Sequence, residues 1–165
     1  MFNDPEAQLS FDIADEAGTE ALAAKVAGAA AAGDVISLVG DLGLGKTVFA
    51  RAFIRALCGP HEEVPSPTFT LLQTYDAGRW EIYHFDFYRL SHPDEALEIG
   101  VEEAFSGGVS LIEWGERLGP LLPADYLEVK LQPGLTANGR RITLTGHGYW
   151  RAKLGEGISA GAIHA

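Results

Sequence analysis

One stretch limits this chain to few folds: Ile36 to Phe53, which reads ISLVGDLGLGKTVFARAF. Ile36 to Val39 is a short apolar run rich in β-formers. Gly40 to Thr47 then spells G-x-x-x-x-G-K-T, and Val48 to Leu57 has helical character. Strand, glycine loop and helix, in that order, is the context in which such a loop holds phosphate. Gly43 and Gly45 let the backbone curl so that successive amides can face a polyphosphate. The start of the following helix adds its positive dipole end. Lys46 is expected to bring a mobile positive charge to the β- and γ-phosphates, and the Thr47 hydroxyl is placed to bind Mg²⁺.

The chain's 165 residues fit one domain, with a core over about 9–146 and a tail over about 147–165. It is 47% hydrophobic, enough to bury a core, and its formal net charge is −11. An acidic surface repels nucleic acid and anionic membrane, so any link to RNA is expected to run through a partner or a small local patch. Cys58 is the one cysteine, which excludes an intrachain disulfide and a cysteine-based zinc site. It reads as a small apolar residue near a helix end, in a chain suited to a reducing cytosol. The opening MFNDPEAQLS is acidic and lacks the apolar run of a signal peptide. No stretch supplies the ~18 uninterrupted apolar residues of a membrane span. A cytoplasmic protein is expected.

Periodicity and breakers place the elements. Leu9 to Ile13 alternates like an edge strand. Thr19 to Ala32 reads as an alanine-rich helix, with Thr19 in its first turn or at its cap and Gly33 ending it. Val35 to Val39 feeds the loop, and Thr47 to Leu57 is the helix after it, stopped by Gly59-Pro60. Pro65 and Pro67 hold Val64 to Pro67 extended and irregular. Phe69 to Tyr75 and Trp80 to Tyr88 read as a hairpin turning at DAGR. A short helix starts at Pro93 to Leu97. Val109 to Ile112 is a buried strand, and Leu127 to Leu131 and Arg141 to Thr145 are two more. Tyr149 to Leu154 reads as a terminal helix, after which the last ten residues are expected to fray. The sum is an α/β domain whose βα alternation is interrupted by an antiparallel hairpin.

A phosphate loop needs acidic help to hold metal and direct water. In VSLIEW an apolar strand ends at Glu113, as a metal-side strand would. In IYHFDFY, Asp86 lies in an aromatic strand where an unpaired carboxylate is costly to bury. Alternation puts Ile82, His84, Asp86 and Tyr88 on one face. From pattern alone each acid reads either as a metal or catalytic group or as a salt-bridged strand residue. His84 reads as an ordinary hydrogen-bonded strand histidine. The proline-stiffened SPTFT presents Ser66, Thr68 and Thr70, where a threonine can sense a γ-phosphate or simply occupy a loop. No D-x-x-G follows the loop and no N-K-x-D or T-K-x-D occurs, which argues against a regulatory GTPase. A metabolite kinase, with Arg117, Arg140 or Arg141 as lid arginines, lacks an evident lid insertion.

GDLGLGKT, SPTFTL, YHFDFYRL and LIEW, in this order and at these spacings, closely resemble the TsaE family, also called YjeE, over about Glu16 to Ile142. The resemblance implies a P-loop NTPase-like three-layer sandwich with a mixed parallel and antiparallel sheet. It implies a bacterial ATPase, with ATP and Mg²⁺ as cofactors, that works with TsaD and TsaB. The product would be threonylcarbamoyladenosine next to the anticodon of tRNAs reading codons that start with A. Such a subunit supports repeated turnover and does not itself transfer the group. Residue by residue, Leu42, Gly43, Leu44, Gly45, Lys46 and Thr47 would wrap the phosphates, and Thr47 and Glu113 would hold Mg²⁺. Asp86 would serve hydrolysis or metal organisation, with Thr68 near the γ-phosphate. Glu16 and Thr19 match the segment that approaches base and ribose. Trp114 is a family position with no chemistry assigned. The family commonly has proline after that tryptophan, whereas this chain has Gly115, which implies a looser local turn. If partners carry the tRNA, an acidic subunit is no contradiction.

Overall fold

The computed structural model describes residues 7–158, apart from the side chains of residues 156 and 157. The first six residues, and with them the start of MFNDPEAQLS, lie outside the described residues. So does most of the segment expected to fray.

Seven strands form one sheet in the order β1-β7-β6-β2-β5-β4-β3. They are β1 (Ala7–Ile13), β2 (Val35–Val39), β3 (Leu72–Asp76), β4 (Glu81–Asp86), β5 (Val109–Glu113), β6 (Tyr126–Pro133) and β7 (Arg140–His147). The four central strands, β6, β2, β5 and β4, are mutually parallel. Antiparallel β3 extends one edge, and β7 with β1 extends the other. This is the mixed sheet of an α/β fold, and the expected DAGR hairpin is its β3–β4 edge.

Strand alternation sends side chains to two faces. On one face, Ile36 and Leu38 of β2, Ile82 of β4 and Leu111 of β5 pack against α1 (Glu16–Ala29) and α2 (Lys46–Cys58) through Leu22, Phe49 and Phe53. On the other, Val35, Phe85 and Ile112 pack against α3 (Asp94–Ile99) and α4 (Val101–Gly107) through Ala96 and Ala104. Burying a full Leu, Ile or Phe side chain is worth about 1.5–3 kcal/mol, so these two clusters are the fold's main source of stability.

Several boundaries differ from expectation for local reasons. Helix α1 begins three residues before Thr19, because Asp15 caps it by accepting from Gly18 N at 3.1 Å. Thr19 is therefore a buried first-turn residue. The helix also stops at Ala29, before Gly33. Strand β3 starts at Leu72, since Leu71 N bonds back to Pro67 O at 2.7 Å and closes a turn through Thr68 to Thr70. Tyr88 lies beyond the end of β4. Helix α4 and the 3₁₀ segment Gly115–Leu121 were not expected. The short α5 (Trp150–Lys153) falls within the expected terminal helix and runs into a π-type turn, Leu154–Ile158. No helix among the described residues is long and apolar enough to cross a membrane.

Candidate nucleotide site

In parallel α/β sheets ligands gather at the carboxyl ends of the strands. Here β2, β4 and β5 deliver Gly40, Asp86 and Glu113 to the same end, and in-register pairing sets Asp86 directly beside Glu113. A cavity of about 400 Å³ opens there. The residues that the resemblance assigns to the site line it: Glu16 and Thr19 from α1, Leu42 to Thr47 from the loop and α2, Thr68, Asp86 and Glu113; of the other candidates, Ser66, Thr70, His84, Arg117 and Arg141 do not. Asp15, Tyr88, Trp114, Asn138 and Arg140 line it as well.

The loop has the conformation that its glycines allow. Gly43 and Gly45 sit at φ 81° and 105°, in the left-handed region. Gly45 is also the N-cap of α2, and no side chain caps that helix end. The first-turn amides of α2 therefore have no side-chain acceptor, and no acidic residue lies in the first turn. Such a terminus attracts an anion.

Two carboxylates are held at fixed angles. Glu113 is buried; its Oε1 accepts from Thr47 Oγ1 at 2.9 Å and its Oε2 pairs with His84 Nε2 at 2.7 Å. A carboxylate only accepts, so the histidine nitrogen donates. His84 is fully buried and thus does more than the generic strand role read from sequence: it fixes the acid beside Thr47. Asp86 Oδ1 accepts from Tyr88 N at 3.0 Å, and its Oδ2 accepts from Thr68 Oγ1 at 3.1 Å. Ser66 Oγ lies 2.7 Å from Thr68 Oγ1, so the SPTFT turn is tied to the strand acid through hydroxyls.

Lys46 lines the cavity with its ammonium bonded back to the loop. Its Nζ donates to Gly40 O and, at 2.9 Å, to Asp41 O, with the Trp114 ring centroid 4.3 Å away. Burial lowers its pKa from the ordinary lysine value, opposed by Glu113, Glu116, Asp86 and Asp41. Trp114 itself is left-handed, at φ 61° and ψ 41°, a conformation uncommon outside glycine. It also packs on Tyr88 at 5.0 Å between ring centroids. Gly115 is buried, and a Cβ there would lie 2.8 Å from Ser37 Cβ. Close packing, not a loose turn, is what this glycine serves.

Thr47 and Glu113 offer adjacent hydroxyl and carboxylate oxygens, a donor set that suits Mg²⁺. Among the described residues no cluster of three or more His, Cys, Asp or Glu could cage a metal alone.

Sheet order, glycine loop and paired acids define a class: an α/β protein with a P-loop-like fold. Comparison with known proteins narrows the class. The family model for "Threonylcarbamoyl adenosine biosynthesis protein TsaE" matches residues 13–142. A TsaE of Bacillus subtilis is 37% identical over 153 residues, 92% of this chain and 94% of that one. One of Rickettsia bellii is 50% identical over 99 residues, 60% of this chain and 69% of that one. The crystal structure of Bacillus subtilis YdiB superposes with a TM-score of 0.80 at 31% identity, covering 96% of this chain and 98% of that one. The chain belongs to the TsaE family, whose members take part in tRNA threonylcarbamoyladenosine biosynthesis.

Proposed function

We propose that this protein binds Mg·ATP in the cavity, hydrolyses it slowly alone, and acts as the ATPase accessory subunit of a TsaD–TsaB assembly that modifies tRNA. One observation carries the reading. The Thr47–Glu113 pair, 2.9 Å apart, and the Thr68–Asp86 pair, 3.1 Å apart, end on the same cavity as an uncapped helix N-terminus.

Each residue then has a task. The amides of Leu42 to Thr47 take the phosphate oxygens. Lys46 leaves the carbonyls of Gly40 and Asp41 and turns to the β- and γ-phosphates. Thr47 and Glu113 hold Mg²⁺, which when bound supplies neutralisation of phosphate charge. Asp86 orients the attacking water, and Thr68 reports on the γ-phosphate through its bond to Asp86. Glu16 and Thr19 flank the base and ribose. ATP binding and hydrolysis thus alter the SPTFT turn, and with it a docking surface. The partners carry the tRNA, consistent with a net charge of −11.

The experiment is tRNA modification with purified TsaD, TsaB and threonylcarbamoyl-adenylate. A single turnover should survive omission of this protein, whereas sustained turnover should stop. Sustained turnover that is indifferent to its presence refutes the role.

A further inference from the structure

Arg140 opens β7, remote in sequence from the phosphate loop, yet its guanidinium reaches that loop. Its Nε donates to Leu44 O at 3.1 Å and its Nη2 to Gly43 O at 3.4 Å. Its Nη1 donates to Gly139 O at 2.6 Å and to Ala137 O at 3.2 Å. Four of its five N–H groups are thus directed to main-chain carbonyls, two on the loop and two on its own hairpin.

The loop needs such support. A Cβ on Gly43 would meet nothing within 4 Å. Behind the loop the chain is tight: a Cβ on Gly40 would lie 2.6 Å from Leu131 O of β6. The β6–β7 hairpin therefore backs the loop, closely at Gly40 and through the Arg140 fork at Gly43 and Leu44. A trans peptide points its C=O and N–H in opposite directions. Fixing the carbonyls of Gly43 and Leu44 on Arg140 therefore fixes the amides of Leu44 and Gly45 facing the other way. Those are two donors on which a phosphate loop depends.

We infer that Arg140 is a positioning residue that clasps the loop at the cavity wall and holds its anion-binding amides in place before any ligand arrives. The inference rests on the nucleotide-site reading for its purpose, but the clasp itself is observable without nucleotide. Organising the loop in advance removes an ordering cost from binding. The effect falls first on affinity. The planar fork is what matters, so lysine, which keeps the charge, does not substitute for it.

The test compares parent, Arg140→Gln and Arg140→Lys. In nucleotide-free protein, backbone order parameters of Leu44 and Gly45 should drop from the rigid value of about 0.85 toward 0.6 in both variants. Calorimetry with Mg·ADP should show both weakened about tenfold, the scale of ordering one loop residue on binding. With ATP as substrate, the rise in KM should exceed the fall in kcat in both variants, because the clasp acts on the amides that bind. If Arg140→Gln does not fold, Arg140→Lys, which retains stem and charge, decides the matter. Parental order parameters in the folded variants overturn the clasp. So does parental affinity in Arg140→Lys, which would make charge, not geometry, the contribution. If the parent itself binds neither Mg·ADP nor Mg·ATP, the nucleotide reading falls, while the order parameters still judge the clasp.

Discussion

Gly115→Ala is a one-carbon change whose cost can be worked from the fold. The added Cβ would sit 2.8 Å from Ser37 Cβ and 3.3 Å from Ser37 Cα, and nearer still to Ser37 Oγ. Carbon atoms in ordinary contact lie about 3.5–4.0 Å apart, so Ser37 Cβ must give way by roughly 0.7 Å. The hydroxyl can rotate aside, but the Cβ is fixed to β2. That strand is hydrogen-bonded to β5 on one side and β6 on the other, so it cannot shift alone. Overpacking of this kind costs about 1–3 kcal/mol. Taking about 2 kcal/mol, the melting temperature should fall by roughly 4–8 °C in a chain of this size. Ser37→Gly removes both offending atoms at its own cost of roughly 1 kcal/mol. The double variant should then be at least about 1 kcal/mol more stable than the sum of the single effects. Urea unfolding with an unchanged denaturant slope measures all four proteins. A Gly115→Ala protein as stable as parent, or strict additivity with Ser37→Gly, refutes the contact.

Lys46→Ala should weaken Mg·ATP by about 1.5–3 kcal/mol, the value of a charge-assisted contact, and calorimetry reads it directly. Asp86→Asn and Glu113→Gln should keep nucleotide binding yet lose most hydrolysis within the complex, as followed by phosphate release; parental rates in both would make these acids structural. Asp34 is buried and accepts from Ala31 N at 2.8 Å, from Tyr149 OH and from Lys153 Nζ, so Asp34→Ala should cost about 2–4 kcal/mol in urea unfolding. Burial, the bond to Asp34 and nearby carboxylates push the Tyr149 phenol above its ordinary pKa. A raised pKa contributes stability that is complete below about pH 10 and is lost as pH rises above it. Tyr149→Phe should therefore flatten the fall of stability on the alkaline side, measured as melting temperature against pH.

Much of this site was legible because its chemistry is local in sequence. The loop, its strand and its helix are contiguous, and Glu113 is marked by an apolar strand that ends in an acid. What the pattern could not supply is pairing between distant segments. His84 looks like any strand histidine until β4 is set beside β5, where its ring meets Glu113. Arg140 and Asn138 precede or open a strand whose only visible signal is alternation; their place at the cavity follows from β7 pairing with β6 next to β2. Helix α4 was missed because Gly100 ends α3 in a left-handed conformation and at once begins the next helix. A glycine reads as a stop but not as a stop and a start. Gly115 shows the opposite failure. Absence of a side chain suggested freedom, whereas the structure uses it for close approach to Ser37.

The acids on the cavity are held differently because their second partners differ. Glu113 is held from both oxygens, by Thr47 on the phosphate-loop helix and by His84 inside the sheet, and both anchors sit on regular elements. It is placed to stay still. Asp86 is held on one oxygen by the backbone of Tyr88 and on the other by Thr68, which belongs to an irregular turn. That second bond is the one that can be exchanged without disturbing the sheet. Phe69, next to Thr68, is 81% exposed, so a displacement of the turn moves a large apolar side chain already at the surface. Under the proposed function this divides the labour: Glu113 keeps the metal site constant, and the Thr68–Asp86 bond links the state of the nucleotide to the surface a partner meets. Thr68→Ala should therefore uncouple docking from nucleotide state more than it weakens ATP binding. Binding to a TsaD–TsaB assembly, compared with ATP and with ADP, reads that difference. A variant that still distinguishes the two nucleotides as the parent does would remove Thr68 from the link.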